Sequence, residues 1–471
     1  MTVKAITGVP SIRERPPSSA SAVENGAPAR WLVVFVVVHL GCQLLLLVPG
    51  ISAVRIVVRT FAYGAGLILM ASIPSKHMAK LPVRPVAIAV IAILCLEFFN
   101  PEGAGAVAGL AQVMLNLAIM APIFWVPRLA LTVQWVQRLI TILWLFYTAS
   151  AILGVLQAYF PGHFMPQLSS VVAAHGREHV AGLQIALASG ERIFRPMGLT
   201  DVPGGAASGG LYAVLLGTGM LLLPKSPFAG ARIAAAASMV AGMMCLYLCQ
   251  VRSLLLMTGI GLIVLFFLSV LGGRITRTIG LVLALGALIP CGFIMAVSLG
   301  GRSVTARLAT LTEADPSVVY YKHRGHFLEQ TINEYLPRYP LGAGLGRWGM
   351  VGSYFGGANP LYVEIQWTAW LFDGGLLMII VYFSAVLVVT WRSTRVALAR
   401  YSKSDSALSL WGAVVVAYDV GAIALCFNYA VFIGNAGVEF WLINSALLCA
   451  AYRSQRALQA RPLEAPRTIP A

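Results

Sequence analysis

The groups in this chain that could carry chemistry are few and widely spaced. Carboxylates stand in strongly apolar surroundings at Glu364, within NPLYVEIQWTAWLFDGG, and at Asp373 and Asp419. An ionisable side chain inside an apolar run is costly, so it is paired, protonated or facing water. Glu364, at the start of its run, is open to two readings: an interfacial carboxylate paired with an arginine, or an acid–base group. Arginines recur in comparable positions. Arg192 and Arg195 lie in RIFRPMGLTDVPGGAASGG, Arg252 in a turn between two apolar runs, and Arg55 and Arg59 one helical turn apart. A guanidinium fork suits phosphate oxygens and stabilises charge on a leaving group. The same side chains can instead snorkel to lipid headgroups or, for Arg252, pair with Glu97 or Glu439.

Two strings look like motifs and are discounted. HGREH, His175 to His179, has H-x-x-E-H spacing. Gly176 weakens the helix that zinc would need, and no third ligand stands out, so the string reads as a polar loop and no metal or cofactor is expected. GLGRWG is formally G-x-G-x-x-G. It follows no strand and belongs to no βαβ unit, which excludes a dinucleotide site. It is either a tight connection or a turn offering backbone N–H groups to phosphate. The segment before it has helical periodicity. Tyr321, Leu328, Ile332, Tyr335 and Leu336 share one face, His326, Gln330 and Asn333 the opposite one, and Arg324 borders the apolar face. This predicts an amphipathic helix on the bundle or the lipid interface, ended by Pro337 and Pro340.

The elements that must position these groups follow from composition. Of 471 residues, 59% are hydrophobic and 11% charged, and the mean hydropathy is +0.82. Soluble domains carry about 25% charged residues. A soluble enzyme, a disordered chain and a coiled coil are thereby excluded, and the expected fold class is all-α, a polytopic transmembrane helix bundle. Apolar runs at 31–49, 52–73, 84–98, 104–125, 137–157, 207–224, 231–250, 253–271, 277–298, 361–391, 408–433 and 437–452 predict about 12 spans. The chain divides into a disordered cytoplasmic tail (1–30), the transmembrane domain (31–452) and a C-terminal cytoplasmic tail (453–471). Cys42, Cys95, Cys245, Cys249, Cys291, Cys426 and Cys449 all fall in apolar runs and are expected to be small buried hydrophobes.

The formal net charge of +16 first suggests an anionic partner. With the N-terminus inside, 21 of the 33 Lys+Arg fall in the tails and the short loops between spans on that side. The excess is therefore an orientation signal toward the inner leaflet, with both termini cytoplasmic, and no nucleic acid is implied. Two long loops, about 158–206 and 300–360, fall on the outer, periplasmic side, where chemistry is commonly placed.

In this setting the chain resembles the O-antigen ligase and O-antigen polymerase superfamily of bacterial inner-membrane glycosyltransferases. RIFRPMGLTDVPGGAA is similar to that family's segment opening the span after the first long loop. LCQVRSLLLMTGIGLIVLF is similar to its short outer turn with arginine. RGHFLEQTINEYLPRYPLGAGLG resembles its loop helix followed by P-L-x-G-x-G. In the family, a helix opens with His-Asn and carries an acidic residue nine positions later and glycine eleven positions later. Glu364, Asp373 and Gly375 reproduce that spacing, but Glu364–Ile365 replaces His-Asn.

The resemblance implies metal-independent, inverting transfer from an undecaprenyl-diphosphate-linked glycan donor to a glycan or lipid acceptor, in O-antigen or exopolysaccharide assembly. Arg195, Arg252 and Arg324 would hold the diphosphate. Glu364 would activate the acceptor hydroxyl, with His326 as a substitute base. The replaced histidine equally allows a branch with another substrate, or an inactive one. Two other classes stay open: a transporter or flippase using Asp373 and Asp419, weakened by the lack of repeat halves, and a structural subunit of an envelope-assembly complex.

Overall fold

The computed structural model describes residues 28–48, 54–74, 79–166, 180, 183–187, 190–224, 227–309, 318, 321, 325–355, 360–401 and 405–459. It is an all-α bundle. Its long helices are α1 (Arg30–Leu45), α2 (Arg55–Ser72), α3 (Arg84–Glu97), α4 (Ala106–Met120), α5 (Val133–Tyr159), α6 (Ala206–Leu222), α7 (Ala231–Cys249), α8 (Arg252–Leu271), α9 (Ile275–Gly300), α10 (Gln366–Leu398), α11 (Ala407–Leu425) and α12 (Asn435–Gln459). Each predicted apolar run coincides with one of them. Seven (α2, α5, α7, α8, α9, α10 and α11) are long and apolar enough to cross a membrane. An eighth arises if α4 and Pro122–Arg128 count as one span bent by 49°. Pro122 accounts for the bend, since it lacks the N–H of the helical ladder.

Hairpin packing gives the bundle two distinct ends. Met257 of α8 meets Gly421 of α11, and Gly261 meets Ala417, so these helices run antiparallel. The last turn of α11 in turn accepts the first amide of α10, Gln366 N–H to Cys426 O at 3.1 Å. The starts of α8, α10 and α12 and the ends of α3, α5, α7 and α9 therefore share one end, called the loop end. The opposite end, where the described chain begins and finishes, is the termini end. Close packing relies on small residues, as between membrane helices generally. A Cβ on Gly210 of α6 would lie 2.7 Å from Gly242 O of α7. Large buried rings, Trp125, Trp144, Trp411 and Trp441 among them, fill the centre.

Five of the seven cysteines are buried, but Cys95 and Cys291 are exposed on outward helix faces, correcting the expectation that all lie inside. At those positions the apolar surroundings are outward-facing surface rather than protein interior.

Candidate functional site

At the loop end, α10 is broken. Gly374 (φ 174°, ψ 29°) and Gly375 (φ 66°, ψ −158°) leave helical geometry, freeing Phe372 C=O and Leu376 N–H. The glycine-rich loop after Pro337 enters this gap. Ala343 N–H donates to Phe372 O and Leu376 N–H donates to Pro340 O, both at 3.0 Å. Just before the break, Asp373 is buried and accepts from Trp348 Nε1 at 2.8 Å and Gln112 Nε2 at 3.1 Å. Asn116 Nδ2 approaches at 3.5 Å. One carboxylate thus fastens the loop and α4 to α10. The GLGRWG turn is accounted for as a connection: a Cβ on Gly344 would lie 2.4 Å from Gly103 N, and Arg347 pairs with Glu102 at 3.2 Å.

Glu364 does not begin a helix, as the sequence reading placed it. It stands in a non-helical stretch before α10, whose cap residue Ile365 is extended (φ −118°, ψ 155°). Helix starts here because Gln366 is committed on both sides: its N–H binds Cys426 O, and its side-chain oxygen accepts Phe432 N–H at 2.7 Å. Glu364 is half-buried and accepts the hydroxyl hydrogen of Tyr362. The Tyr362 ring lies 6.2 Å from Phe327, the neighbour of His326. The loop helix and the Glu364 stretch are thereby brought side by side, with His326 exposed and Glu364 the more enclosed of the two.

That loop helix runs through His326–Gln330, a π-helical turn Thr331–Tyr335, and Leu336–Arg338. Its packed face differs from the predicted one. Tyr335, 5.1 Å from Phe372, faces α10 as expected, but Thr331, bonded to Thr368 at 2.6 Å, faces it too, while Ile332 and Tyr321 are exposed. The wide π turn shifts the 100° periodicity on which the wheel was drawn. Partial burial, with Glu334 nearby, holds the Tyr335 phenol above its usual range.

Arg252 opens α8 after a tight turn. Gln250 holds this turn in the left-handed region (φ 55°), its side chain donating to Ser303 Oγ at 3.0 Å. Arg195 follows a two-stranded hairpin, Gln184–Ala186 against Arg192–Phe194, in which Ile185 pairs with Ile193. Gly204 joins the two arginine segments: its Cβ position is 3.3 Å from Val251 and 3.8 Å from Arg195 Cδ. Arg252 borders a cleft of about 10 Å³ with Tyr247 and Leu308, room for about one water.

Glu97 and Glu439, offered as partners for Arg252, are engaged elsewhere. Glu97 accepts from Asn100 at 2.9 Å. Glu439 is buried and accepts from Tyr147 and Tyr212, whose rings stack at 4.2 Å. Arg55 and Arg59 clamp Asp201 at 3.4 and 2.5 Å rather than snorkelling. Asp419 accepts from Asn444 at 2.8 Å, and Asn444 in turn accepts from Ser393. Arg324 and the HGREH string lie outside the described residues.

Four candidates, Arg195, Arg252, His326 and Glu364, stand at the loop end in two groups. The sequence reading missed Gln112, Asn116 and Trp348 as partners of Asp373, and Tyr147 and Tyr212 around Glu439. The i, i+4 pair Gln112 and Asn116, polar on an otherwise apolar helix, was the available signal. No protein-family model matches the sequence, and no curated protein matches it.

Proposed function

We propose that this chain is a membrane glycosyltransferase of the O-antigen ligase and polymerase type, with about 12 spans and both termini cytoplasmic. It would act at the outer face of the bacterial inner membrane on a glycan carried by undecaprenyl diphosphate. One observation carries the reading: Arg195, Arg252, His326 and Glu364, drawn from separate segments, all lie at the loop end of the bundle, in two groups. A second supports it. Arg252 is the first residue of α8, so its cation adds to the positive end of the helix dipole, a pairing that favours an anion.

In this reading Arg195 and Arg252, with Arg324, hold the donor diphosphate. Glu364 takes the proton from the acceptor hydroxyl, whose oxygen attacks the anomeric carbon with inversion. The carbon–oxygen bond to the diphosphate breaks and the diphosphate leaves with the electron pair, its charge stabilised by the guanidinium groups. Diphosphate cannot enter the present cleft beside Arg252 unless the short helix Arg302–Ala309 draws back. The test is purified protein with lipid-linked glycan, reading chain elongation or transfer. Glu364→Gln and Arg252→Ala should each lower the rate by about 10²–10⁴-fold. Full activity in both would reject the assignment.

One feature favours a second reading. Broken helices beside buried carboxylates also line transporter sites, and α10 breaks next to Asp373. Proteoliposome transport dependent on Asp373 or Asp419, without glycan product, would select it.

A further inference from the structure

At the termini end, opposite the proposed catalytic groups, a recess of about 270 Å³ opens between the start of α3, the end of α10 and the end of α12. Its floor is apolar, with Leu81, Val396 and Leu448. Its rim carries three exposed cations, Lys80, Arg392 and Arg395. No carboxylate among the described residues lines it. Among the described residues these cations make no ion pair, and the nearby Asp405 is engaged by Ser454 Oγ at 2.6 Å. Arg392 and Arg395 lie at i and i+3 on α10, so both reach the same opening.

A recess whose charged groups, among the described residues, are all cations draws an anion, and its apolar floor favours one attached to hydrocarbon. The residue before Arg392 indicates where the opening lies. Trp391 is 64% exposed, as expected of an interfacial anchor at headgroup depth, and Leu398 is exposed one turn beyond Arg395. Tyr452, a half-buried wall residue, has Arg456 5.2 Å above its ring, adding a fourth cation nearby. The volume is below the roughly 300–1,000 Å³ of a drug-sized ligand site. It suits a headgroup of one or two phosphates with the acyl chains outside, along Trp391 and Leu398. We propose that this recess binds the phosphate headgroup of an anionic lipid in the leaflet at the termini end, a site separate from the proposed donor site.

The same phosphate chemistry could come from lipid or from solution, and the test separates them. Full-length protein in neutral detergent is delipidated and offered phosphatidylcholine, phosphatidylglycerol or cardiolipin, or inorganic phosphate alone. Bound species are counted by native mass spectrometry. Retention should favour cardiolipin and phosphatidylglycerol over phosphatidylcholine. K80Q, R392Q and R395Q should each weaken retention about fivefold, and the triple variant about a hundredfold. Arg232→Gln, an exposed cation at the same end but off the recess, should leave it unchanged. Circular dichroism shows whether the triple variant is folded, and the single variants carry the test if it is not. Saturable binding of inorganic phosphate, lost in the triple variant, would keep the site and name solution phosphate as its source. Equal retention in folded triple variant and parent, equal loss in Arg232→Gln, or no preference for anionic lipid would overturn the proposal.

Discussion

Gly375→Ala should release the glycine-rich loop from α10 without unfolding the bundle. Gly375 has φ 66° and ψ −158°, a region nearly confined to glycine, where another residue costs about 1–3 kcal/mol. The new Cβ would also stand 2.1 Å from Pro340 O and 2.5 Å from Leu341 Cα. These are backbone atoms, so the loop must withdraw. Withdrawal breaks the Leu376–Pro340 and Ala343–Phe372 hydrogen bonds, each 3.0 Å and each contributing about 0.5–1.5 kcal/mol. The docked arrangement thus loses roughly 2–6 kcal/mol. Alanine then lets α10 close its ladder, which localises the damage to the loop. The assay is amide hydrogen exchange in detergent micelles. Protection at Ala343 should fall about thirtyfold or more, while Leu376, taken into the closed ladder of α10, and α5, α6 and α11 keep theirs. Gly374→Ala is the comparison, since its φ is extended and its Cβ meets side-chain rather than backbone atoms, Ile93 Cγ2 at 2.6 Å and Met378 Cβ at 3.0 Å. Its effect should be the smaller. Parent-like protection at Ala343 in Gly375→Ala would show that the loop does not hold the break, and the reasoning would fail.

Asp373→Asn should lower the thermal unfolding midpoint. The new amide nitrogen must face one of the donors Trp348, Gln112 or Asn116, and leaving one unpaired costs about 1–3 kcal/mol. Trp348→Phe should cost less than Asp373→Asn, because it removes a donor and leaves Asp373 its two amide partners. Glu439→Gln and Tyr147→Phe should each destabilise, and the double variant should fall short of the sum by about 0.5–3 kcal/mol, as groups sharing one hydrogen bond do. Additive losses would count against a shared bond. Asp201→Asn should speed exchange across 195–205 by loosening the clamp from Arg55 and Arg59, a change measurable in the same exchange experiment.

The helices were legible because apolar runs near spanning length admit few alternatives in a chain so poor in charge. Every run, including the short 84–98, coincides with a helix. The tight turn at Val251 and the connecting role of the glycines after Pro340 were legible too, since turns and close backbone approach require small or permissive residues. The partners of the buried carboxylates were not. Asp373 meets Gln112 and Trp348 only because α10 breaks and a loop from outside the helices enters the gap. Nothing local to Asp373 encodes the distance to α4. The loop helix was legible only in part: Tyr335 packs as the wheel placed it, but the π turn brings Thr331 onto the packed face and leaves Ile332 off it, which a fixed 100° step cannot anticipate. Glu364 was placed on a helix because its neighbours are apolar. The helix starts only at Gln366, which is held by α11 and by Phe432, contacts remote in sequence.

These corrections change what the net charge of +16 means for function. Among the described residues, the ion pairs are Arg55 and Arg59 with Asp201, and Arg347 with Glu102, all at the loop end. At the termini end the arginines turn to neutral partners instead: Arg128 donates to Met70 O and Ile73 O, Arg277 to Leu222 O, and Arg274 to Ser409 Oγ. The two ends therefore handle positive charge differently. Where carboxylates are present, arginines are drawn into pairs that fasten loops. Where carboxylates are scarce, the cations anchor helix ends through carbonyls, or stand open at the rim of the α3–α10–α12 recess. A neutralised loop end is what a site needs if it must admit an anionic donor and release an anionic leaving group: a dense cationic field would bind both too tightly to turn over. An open cationic rim has the opposite property, suited to a permanently held headgroup. If both proposals hold, the distribution of Asp and Glu decides which end binds an anion transiently and which retains one.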